Sequence, residues 1–335
     1  MAGEEAGLPR SAAVIGCGVI GSGWAARLRL RGVDVRAYDP APDAARILAE
    51  VQANANQAWS GLGLGPDNEA GPGLGSLQRC LSIEEAVAGV ELIQESVPER
   101  LELKHDTLAL IERAAPIESI IASSTSGFRP TVLAEALQRP ERLVVAHPFN
   151  PVYLLPLVEI VGGQHTSAQV IERVKALYRG LGMHPLHVRV EIDAFIADRL
   201  LEAVWREALW LINDGVATTA EVDDAIRYGF GLRWAQMGLF ETYRIAGGLG
   251  GMRQFIGQFG EALKWPWSRL TDTPELTDDL VDRIAQQSDD QSGRYSIREL
   301  ERIRDRNLVA ILRALESVDW GAGQNLRLLR TDRAE

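Results

Sequence analysis

Short apolar runs alternate with amphipathic stretches through the first half of the chain. Residues 12–16 (AAVIG) and 33–39 (VDVRAYD) have the apolar, β-branched character of short strands, whereas residues 42–60 have helical spacing. Two further strand candidates, SIIASSTS and RLVVAHPF, end in polar residues. Because strands that alternate with helices build parallel sheets, this pattern predicts an α/β fold with a Rossmann-like, doubly wound parallel sheet.

The pattern changes near residue 190. From there apolar residues recur at helical spacing, and Gly215 at the end of one such stretch is typical of a helix C-cap. A chain of 335 residues is also long for one compact core. We therefore predict a Rossmann domain at residues 1–190 and an all-helical domain at residues 191–335. Residues 61–76 are rich in Gly and Pro and are predicted to form a surface loop.

Composition and charge limit the class of protein. The net charge of -11 argues against nucleic-acid binding, which needs a basic surface. No apolar run is long enough for a membrane span, and the N-terminus has no basic segment followed by an apolar one, so we expect neither a membrane protein nor a signal peptide. Cys17 and Cys80 have neither metal-site nor disulfide spacing, which fits a reducing cytoplasm and predicts no metal.

A Gly-rich turn joins the first predicted strand to the first predicted helix. Its G-x-G-x-x-G pattern is typical of dinucleotide binding, because the glycines allow a tight turn and a close approach of a pyrophosphate to the backbone. Asp39 closes the second strand, where a carboxylate accepts hydrogen bonds from the adenosine ribose and repels a 2′-phosphate. We therefore predict NAD rather than NADP, with FAD less favoured. The predicted phosphate-binding residues are Gly16, Gly18, Val19, Ile20 and Gly21.

The run HPFNPVYLLPLVEI raises a chemical question. It is too rich in Pro for a helix, and its end is typical of a buried strand. A carboxylate in such a strand is costly unless it is paired, and His147 is the nearest partner for Glu159. A neutral imidazole can accept the proton of an alcohol, and a carboxylate can orient it. The spacing alone is equally compatible with a buried structural pair.

Several motifs together resemble the 3-hydroxyacyl-CoA dehydrogenase family. They follow one another in the order GCGVIGSG, QESVPERLELK, SSTSG, HPFNP, PLVEIV and AFIADRLL. The resemblance implies that the helical domain binds substrate and pairs into a homodimer. The site residues that it implies are His147 as general base, Glu159 as its orienting partner, Ser126 and Asn150 at the reacting oxygen, and Glu95 and Lys104 at the cofactor.

Two departures from the acyl-CoA enzymes indicate a cationic substrate. Asp198 stands where that family usually has Asn, and the segment 230–248 combines aromatic residues with Glu241. Aromatic faces and a carboxylate bind quaternary ammonium groups, although an ordinary aromatic helix core is an alternative. Together with HPFNPVYLLPLVEI and FGEALKWPWSRL, the segment 230–248 resembles the branch of the family that oxidises L-carnitine. The predicted substrate-binding residues are Ser126, Asn150, Asp198, Trp234, Phe240 and Tyr243.

We therefore predict NAD-dependent oxidation of the 3-hydroxyl of L-carnitine to 3-dehydrocarnitine. Candidates for holding the substrate carboxylate are Arg199, Arg233 and Arg244, which the sequence does not rank. The alternatives are a dehydrogenase of the same family that acts on a 3-hydroxyacyl-CoA or L-gulonate, and a non-catalytic protein like the lambda-crystallins, which share the fold. An apolar stripe on residues 198–213 accords with a homodimer and equally with a buried central helix.

Overall fold

A computed structural model describes most of the chain. The described residues are 7–65, 73–235, 238–247, 249, 251–259, 268, 275, 277–280, 282–283, 294–295 and 297–331. Residues 66–72 of the predicted loop and most of FGEALKWPWSRL lie outside them. Contacts divide the chain into two compact units, which are Met1–Ile196 with Arg304–Glu335, and Ala197–Ile303.

The first unit contains an eight-stranded sheet and its covering helices. The strands are β1 Ser11–Ile15, β2 Asp34–Tyr38, β3 Leu77–Arg79, β4 Leu92–Glu95, β5 Ile120–Ser123, β6 Leu143–Pro148, β7 Leu157–Gly162 and β8 His184–Val188. The helices of this part are α1 Val19–Leu30, α2 Ala44–Gly61, α3 Ile83–Val87, α4 Leu101–Ala114, α5 Pro130–Ala134 and α6 Ala168–Gly180, with a short 3₁₀ turn at Pro140–Arg142. The strand–helix alternation predicted for the first half is confirmed.

The strand order is β3-β2-β1-β4-β5-β6-β7-β8. Strands β1 to β6 run parallel, but β7 pairs antiparallel with β6, and β8 is parallel to β7. The predicted doubly wound sheet is thus confirmed as mainly parallel, and the β6–β7 pair is its antiparallel exception. Only residues 149–156 join β6 to β7, and a parallel crossover needs a dozen or more residues, so the chain turns back beside β6 instead.

The chain reverses its direction of travel across the sheet next to β1. Strands β2 and β3 lie on one side of β1, and β4 to β8 lie on the other. Such a switch point leaves a crevice beyond the carboxyl ends of β1 and β4, and ligands of doubly wound sheets bind there. The last residue of β1, Ile15, is the register partner of Glu95 in β4, so the Gly-rich turn opens directly beside the β4 end.

Apolar side chains cover the sheet on both faces. One buried cluster joins β1, β2 and β4 to α1 and α6, and includes Trp24 packed 5.3 Å from Tyr178 between ring centroids. A second cluster joins the other face to α3 and α4 through Ile93, Leu108 and Ile111. Burial on both faces explains why these strands are nearly continuous apolar runs rather than alternating ones.

The described residues of the second unit are mainly helical, in agreement with the predicted all-helical C-terminal part. Its helices are α7 Ala197–Asn213, α8 Thr219–Ala225, α9 Gly231–Trp234, α10 Gly238–Ala246 and α11 Gly251–Phe259, with a π-helical turn at Ile226–Phe230. Thr218 and Glu221 form a reciprocal capping box at the start of α8. Among the residues that the structure describes, no helix combines the length and apolar character needed to cross a bilayer.

The residues after Ile303 belong to the first unit. Helix α12 spans Ile297–Ser317, and α13 spans Ala322–Thr331. Leu326 and Leu329 pack in one buried cluster with Trp59, and the Tyr153 hydroxyl donates to Asp305 at 2.6 Å. Residues 304–335 are thus grouped with the Rossmann unit, whereas the sequence-based division assigned all of 191–335 to the helical domain.

Candidate functional site

The Gly-rich turn is shaped so that two of its glycines tolerate no side chain. Gly16 has φ +93°, and a Cβ there would lie 2.6 Å from the carbonyl oxygen of Ser96. A Cβ on Gly21 would lie 1.8 Å from the carbonyl oxygen of Gly16. The turn therefore packs against both the β4 end and its own helix, as the roles assigned to these glycines require.

Gly18 is different, because a Cβ built there meets nothing within 4 Å. It is the N-cap of α1, and no side chain caps the helix at this position. The next residue, Val19, is 53% exposed. The N–H groups of the first helical turn have no intrahelical acceptor, and together with the positive end of the helix dipole they suit an anion. The open space at Gly18 fits the close approach of a pyrophosphate.

Asp39 lies just beyond β2 and contacts the same turn. Its Oδ2 accepts from the Cys17 amide at 2.6 Å, and its Oδ1 accepts from the Ala41 amide at 2.8 Å. Each carboxylate oxygen keeps a lone pair for a ribose hydroxyl, so the arrangement fits the predicted contact with adenosine. Burial raises the pKa of the Cys17 thiol to about 12, and the Asp39 charge adds to the shift, so this thiol is protonated at neutral pH.

A cavity of about 280 Å³ lies in the first unit at the predicted crevice. It extends from the start of α1 past the ends of β4, β5 and β6, which is where a doubly wound sheet binds a nucleotide. Its lining residues are Ile20, Ser96, Val97, Glu99, Lys104, Ser124, Ser126, His147 and Pro148.

Glu95 lies beneath this cavity and is fully buried. It accepts from the Lys104 ammonium at 3.0 Å, the Ser123 hydroxyl at 2.5 Å and the Val97 amide at 2.7 Å. Lys104 also contacts Glu99 at 3.2 Å, and Glu99 lines the cavity with a side chain that is 41% exposed. Glu95 was predicted from the sequence to lie at the cofactor, whereas Glu99 was not. Position could have found it, since Glu99 lies in the loop beyond the carboxyl end of β4, whereas Glu95 is the last residue of the strand itself.

His147 and Glu159 are brought together by the antiparallel pairing of β6 and β7. They are direct register partners, and His147 Nδ1 lies 3.0 Å from Glu159 Oε2. The other carboxylate oxygen accepts from the Ile196 amide at 2.9 Å. An ionised carboxylate only accepts, so the Nδ1 nitrogen carries the proton and Nε2 is the basic nitrogen. Glu159 is fully buried, whereas His147 reaches the cavity.

The two residues predicted at the reacting oxygen have different surroundings. Ser126 follows β5 and lines the cavity beside His147. Asn150 is exposed in the loop between β6 and β7, immediately before a cis peptide bond to Pro151, and it is not among the residues that line the cavity. The geometry therefore joins Ser126 to the His147–Glu159 pair and leaves Asn150 outside the cavity.

The residues predicted to recognise a cation all belong to the second unit. Asp198 lies in the first turn of α7 and is half-buried. The Trp234 ring packs 4.5 Å from that of Phe230, and the Tyr243 ring stacks 4.5 Å from that of Phe255. A further predicted contact, Phe240, is 71% exposed.

Family models match most of the chain. Residues 11–192 match the NAD binding domain of 3-hydroxyacyl-CoA dehydrogenase, and residues 195–295 match the C-terminal domain of the same family. The chain belongs to the 3-hydroxyacyl-CoA dehydrogenase family. The predicted family, the Rossmann domain and the NAD cofactor are thereby confirmed. The specific roles assigned to site residues stay predictions.

Curated relatives named for an activity on L-carnitine match most of the chain. An L-carnitine dehydrogenase/betainyl-CoA thioesterase of Agrobacterium fabrum is 60% identical over 95% of this chain, which spans only 64% of that relative's length. An L-carnitine dehydrogenase of Mesorhizobium japonicum is 57% identical, with 93% of this chain and 86% of the relative covered. That of Pseudomonas putida is 56% identical over 91% of this chain and 94% of the relative.

The fold also matches solved structures of dehydrogenases. The structure of 5-formyl-3-hydroxy-2-methylpyridine 4-carboxylic acid 5-dehydrogenase, described as an NAD+ dependent dismutase, has a TM-score of 0.76 and 29% identity. The match covers 92% of this chain and 98% of that one. This likeness supports the arrangement of a Rossmann domain followed by a helical part.

Proposed function

We propose that this family member catalyses the NAD-dependent oxidation of the 3-hydroxyl of L-carnitine to 3-dehydrocarnitine. The observation that carries the proposal is the buried His147–Glu159 pair, which reaches the cavity at the nucleotide-binding edge of the sheet. Relatives that are 56–57% identical over most of their length and named L-carnitine dehydrogenase support the choice of substrate.

Oxidation requires the removal of a proton from the substrate hydroxyl. His147 Nε2 accepts that proton, because Glu159 holds the Nδ1 proton at 3.0 Å and keeps the ring in the required tautomer. The imidazolium that forms is stabilised by the Glu159 charge, which is fully buried and therefore little screened. NAD, when bound, supplies the acceptor for the hydride that leaves the carbon bearing this hydroxyl.

Other cavity residues hold the reactants. Ser126 is proposed to donate to the reacting oxygen from its place beside His147. Asn150 keeps its predicted contact with that oxygen as a proposal, although it lies outside the cavity lining. Lys104 and Glu99 line the cavity and are proposed to contact the cofactor, with Glu95 fixing Lys104 from beneath.

The trimethylammonium group needs a partner of opposite charge or an aromatic face. Asp198, Trp234, Phe240 and Tyr243 are proposed to supply these groups. For the carboxylate, Arg199, Arg233 and Arg244 stay unranked; all three are exposed. A substrate domain at 191–335 remains a functional proposal, since it rests on the sequence and the family rather than on the grouping of contacts.

The direct test is turnover. Purified protein is mixed with NAD and L-carnitine, and NADH absorbance is followed. The pH is about 9, because the reaction releases a proton and alkaline pH therefore favours oxidation. D-carnitine and 3-hydroxybutyryl-CoA run in parallel. Turnover with L-carnitine alone supports the proposal, whereas turnover with only the CoA ester refutes the substrate. Silence with both, despite NADH binding, would favour the L-gulonate or the crystallin-like alternative.

A His147→Gln variant separates binding from chemistry. Because His147 lies near the carboxyl end of β6 and the Gly-rich turn is untouched, NADH binding should be retained while turnover falls by about 10²–10⁴-fold, the usual contribution of a general base. Wild-type turnover in this variant would contradict the role of the base. A Ser167→Ala variant, which removes a helix cap on α6, is a matched control for a general loss of stability.

A homodimer and a cytoplasmic location complete the proposal. Leu200, Leu201 and Trp205 on α7 are each more than half exposed, which supports burial of this face by a second copy. Light scattering that finds a monomer at micromolar concentration would refute the dimer. Cys17 and Cys80 are free and buried, which is compatible with a reducing compartment.

A further inference from the structure

A short segment after β8 has an unusual backbone. Residues 191–196, here called the 191–196 segment, contain two consecutive non-glycine residues in the left-handed region, Ala194 at φ 58° and Phe195 at φ 50°. Side chains with a Cβ rarely adopt this conformation, and it persists only where surrounding contacts hold it. The structure therefore needs something to keep the 191–196 segment in place.

Two side-chain contacts from the start of α5 hold the first part of the segment. Arg129 forms a two-pronged ion pair with Asp193, with Nε to Oδ1 at 2.8 Å and Nη2 to Oδ2 at 2.7 Å. Thr131 donates to Glu191 from its hydroxyl at 2.5 Å and from its amide at 3.1 Å. Both contacts come from the stretch that directly follows the Ser126 loop.

The last part of the segment ends on the His147–Glu159 pair. The Ile196 amide donates to Glu159 Oε1 at 2.9 Å, while His147 occupies the other oxygen. The Phe195 ring is fully buried and its centroid lies 5.7 Å from that of His147. The segment thus fixes both the carboxylate and one side of the imidazole.

We propose that the Arg129–Asp193 pair is a positioning device for the catalytic pair. It holds the 191–196 segment so that the Ile196 amide and the Phe195 ring keep Glu159 and His147 in register. The inference rests on the proposed base role of His147. Arg129 and Asp193 are 47% and 68% exposed, so removing their pair should change the free energy of unfolding little, which separates a positioning effect from a loss of stability.

The kinetic test compares Arg129→Met, Asp193→Asn and the double variant with a matched control. Glu172→Gln breaks another exposed ion pair, to Lys175 at 2.7 Å, and Glu172 is 67% exposed. We expect each variant of Arg129 or Asp193 to lower kcat about 10-fold with KM for L-carnitine nearly unchanged. Loss of a residue that orients a metal ligand has an effect of this size at metal sites. The double variant should lose no more than either single one, because both break the same pair. Asp193→Glu should restore most of the rate.

A second readout does not depend on turnover. An imidazole N–H donated to a carboxylate gives a low-field proton resonance, which His147→Gln assigns to this pair. Exchange of that proton with water should quicken about 10-fold in Arg129→Met and stay unchanged in Glu172→Gln. An unchanged exchange rate of this proton and an unchanged kcat in the Arg129 and Asp193 variants would overturn the inference. If wild-type protein fails to oxidise L-carnitine, the proposed substrate falls, and the exchange measurement still decides the positioning role.

Discussion

Replacing Glu159 by Gln changes one atom type in a fully buried side chain and tests the chemistry most directly. Glu159 accepts hydrogen bonds from His147 Nδ1 at 3.0 Å and from the Ile196 amide at 2.9 Å. A glutamine of the same shape has one accepting oxygen and one donating NH₂ group. One of the two donors must therefore lose its acceptor or change.

The imidazole is the partner that can change. The Ile196 amide is always a donor, so the Gln oxygen turns toward it and the NH₂ group faces His147. Nδ1 then becomes an acceptor, and the ring proton moves to Nε2, the nitrogen that should receive the substrate proton. A wrong tautomer of this kind lowers kcat by about 10⁴-fold in a serine-protease triad. We expect about 10³–10⁴-fold here, which is about 4–5.5 kcal/mol of lost transition-state stabilisation.

The assay follows NADH formation from L-carnitine under saturating NAD, with NADH binding and thermal unfolding measured on the same samples. Because the change is isosteric, KM and NADH affinity should stay close to wild-type. The double variant with His147→Gln should be no slower than either single one, since both remove the same base. A Glu159→Gln enzyme whose kcat stays within about tenfold of wild-type would refute the tautomer argument.

Three further predictions concern binding and stability. Gly18→Ala should fold normally but weaken NADH binding, since its Cβ would meet only the space proposed for the pyrophosphate. Gly21→Ala should fail to fold or lose NADH binding altogether, since its Cβ would lie 1.8 Å from a backbone oxygen. Fluorescence titration with NADH measures both, and a Gly18→Ala affinity equal to that of the wild type would count against the phosphate site. Trp234→Ala or Tyr243→Ala should raise KM for L-carnitine more than for a neutral analogue, and an equal effect on both would remove the cation role. Tyr153→Phe should lower the free energy of unfolding by about 1–3 kcal/mol in a urea titration, because it removes a hydrogen bond to the buried carboxylate of Asp305. An unchanged midpoint would show that this contact carries little stability.

Much of the nucleotide site could be predicted from the sequence. The Gly-rich turn is a local feature, since its spacing depends on backbone sterics over a few residues, and Asp39 follows within the next strand. The pairing of His147 with Glu159 was also within reach, because a short connection between two strands forces a neighbouring, antiparallel arrangement. In each case the residues involved are close in the chain, so local geometry limits the outcomes.

Other features were decided only by long-range packing. Whether Glu95 or Glu99 faces the cavity depends on where β4 ends and on a lysine from α4 that buries one carboxylate and leaves the other accessible. The grouping of residues 304–331 with the Rossmann unit depends on leucines that meet Trp59 and Tyr153 across most of the chain.

The sequence by itself therefore determined the cofactor-binding turn, the family and the two residues, His147 and Glu159, that are proposed as the base and its orienting partner, because short motifs encode backbone shape and chemistry at fixed spacing. The tertiary structure decided which carboxylate lines the cavity, how the last helices return, and how the 191–196 segment ends on Glu159. These contacts join residues far apart in the chain. Local sequence patterns allow many such pairings equally, and the burial of apolar groups and the pairing of charges decide which of them form.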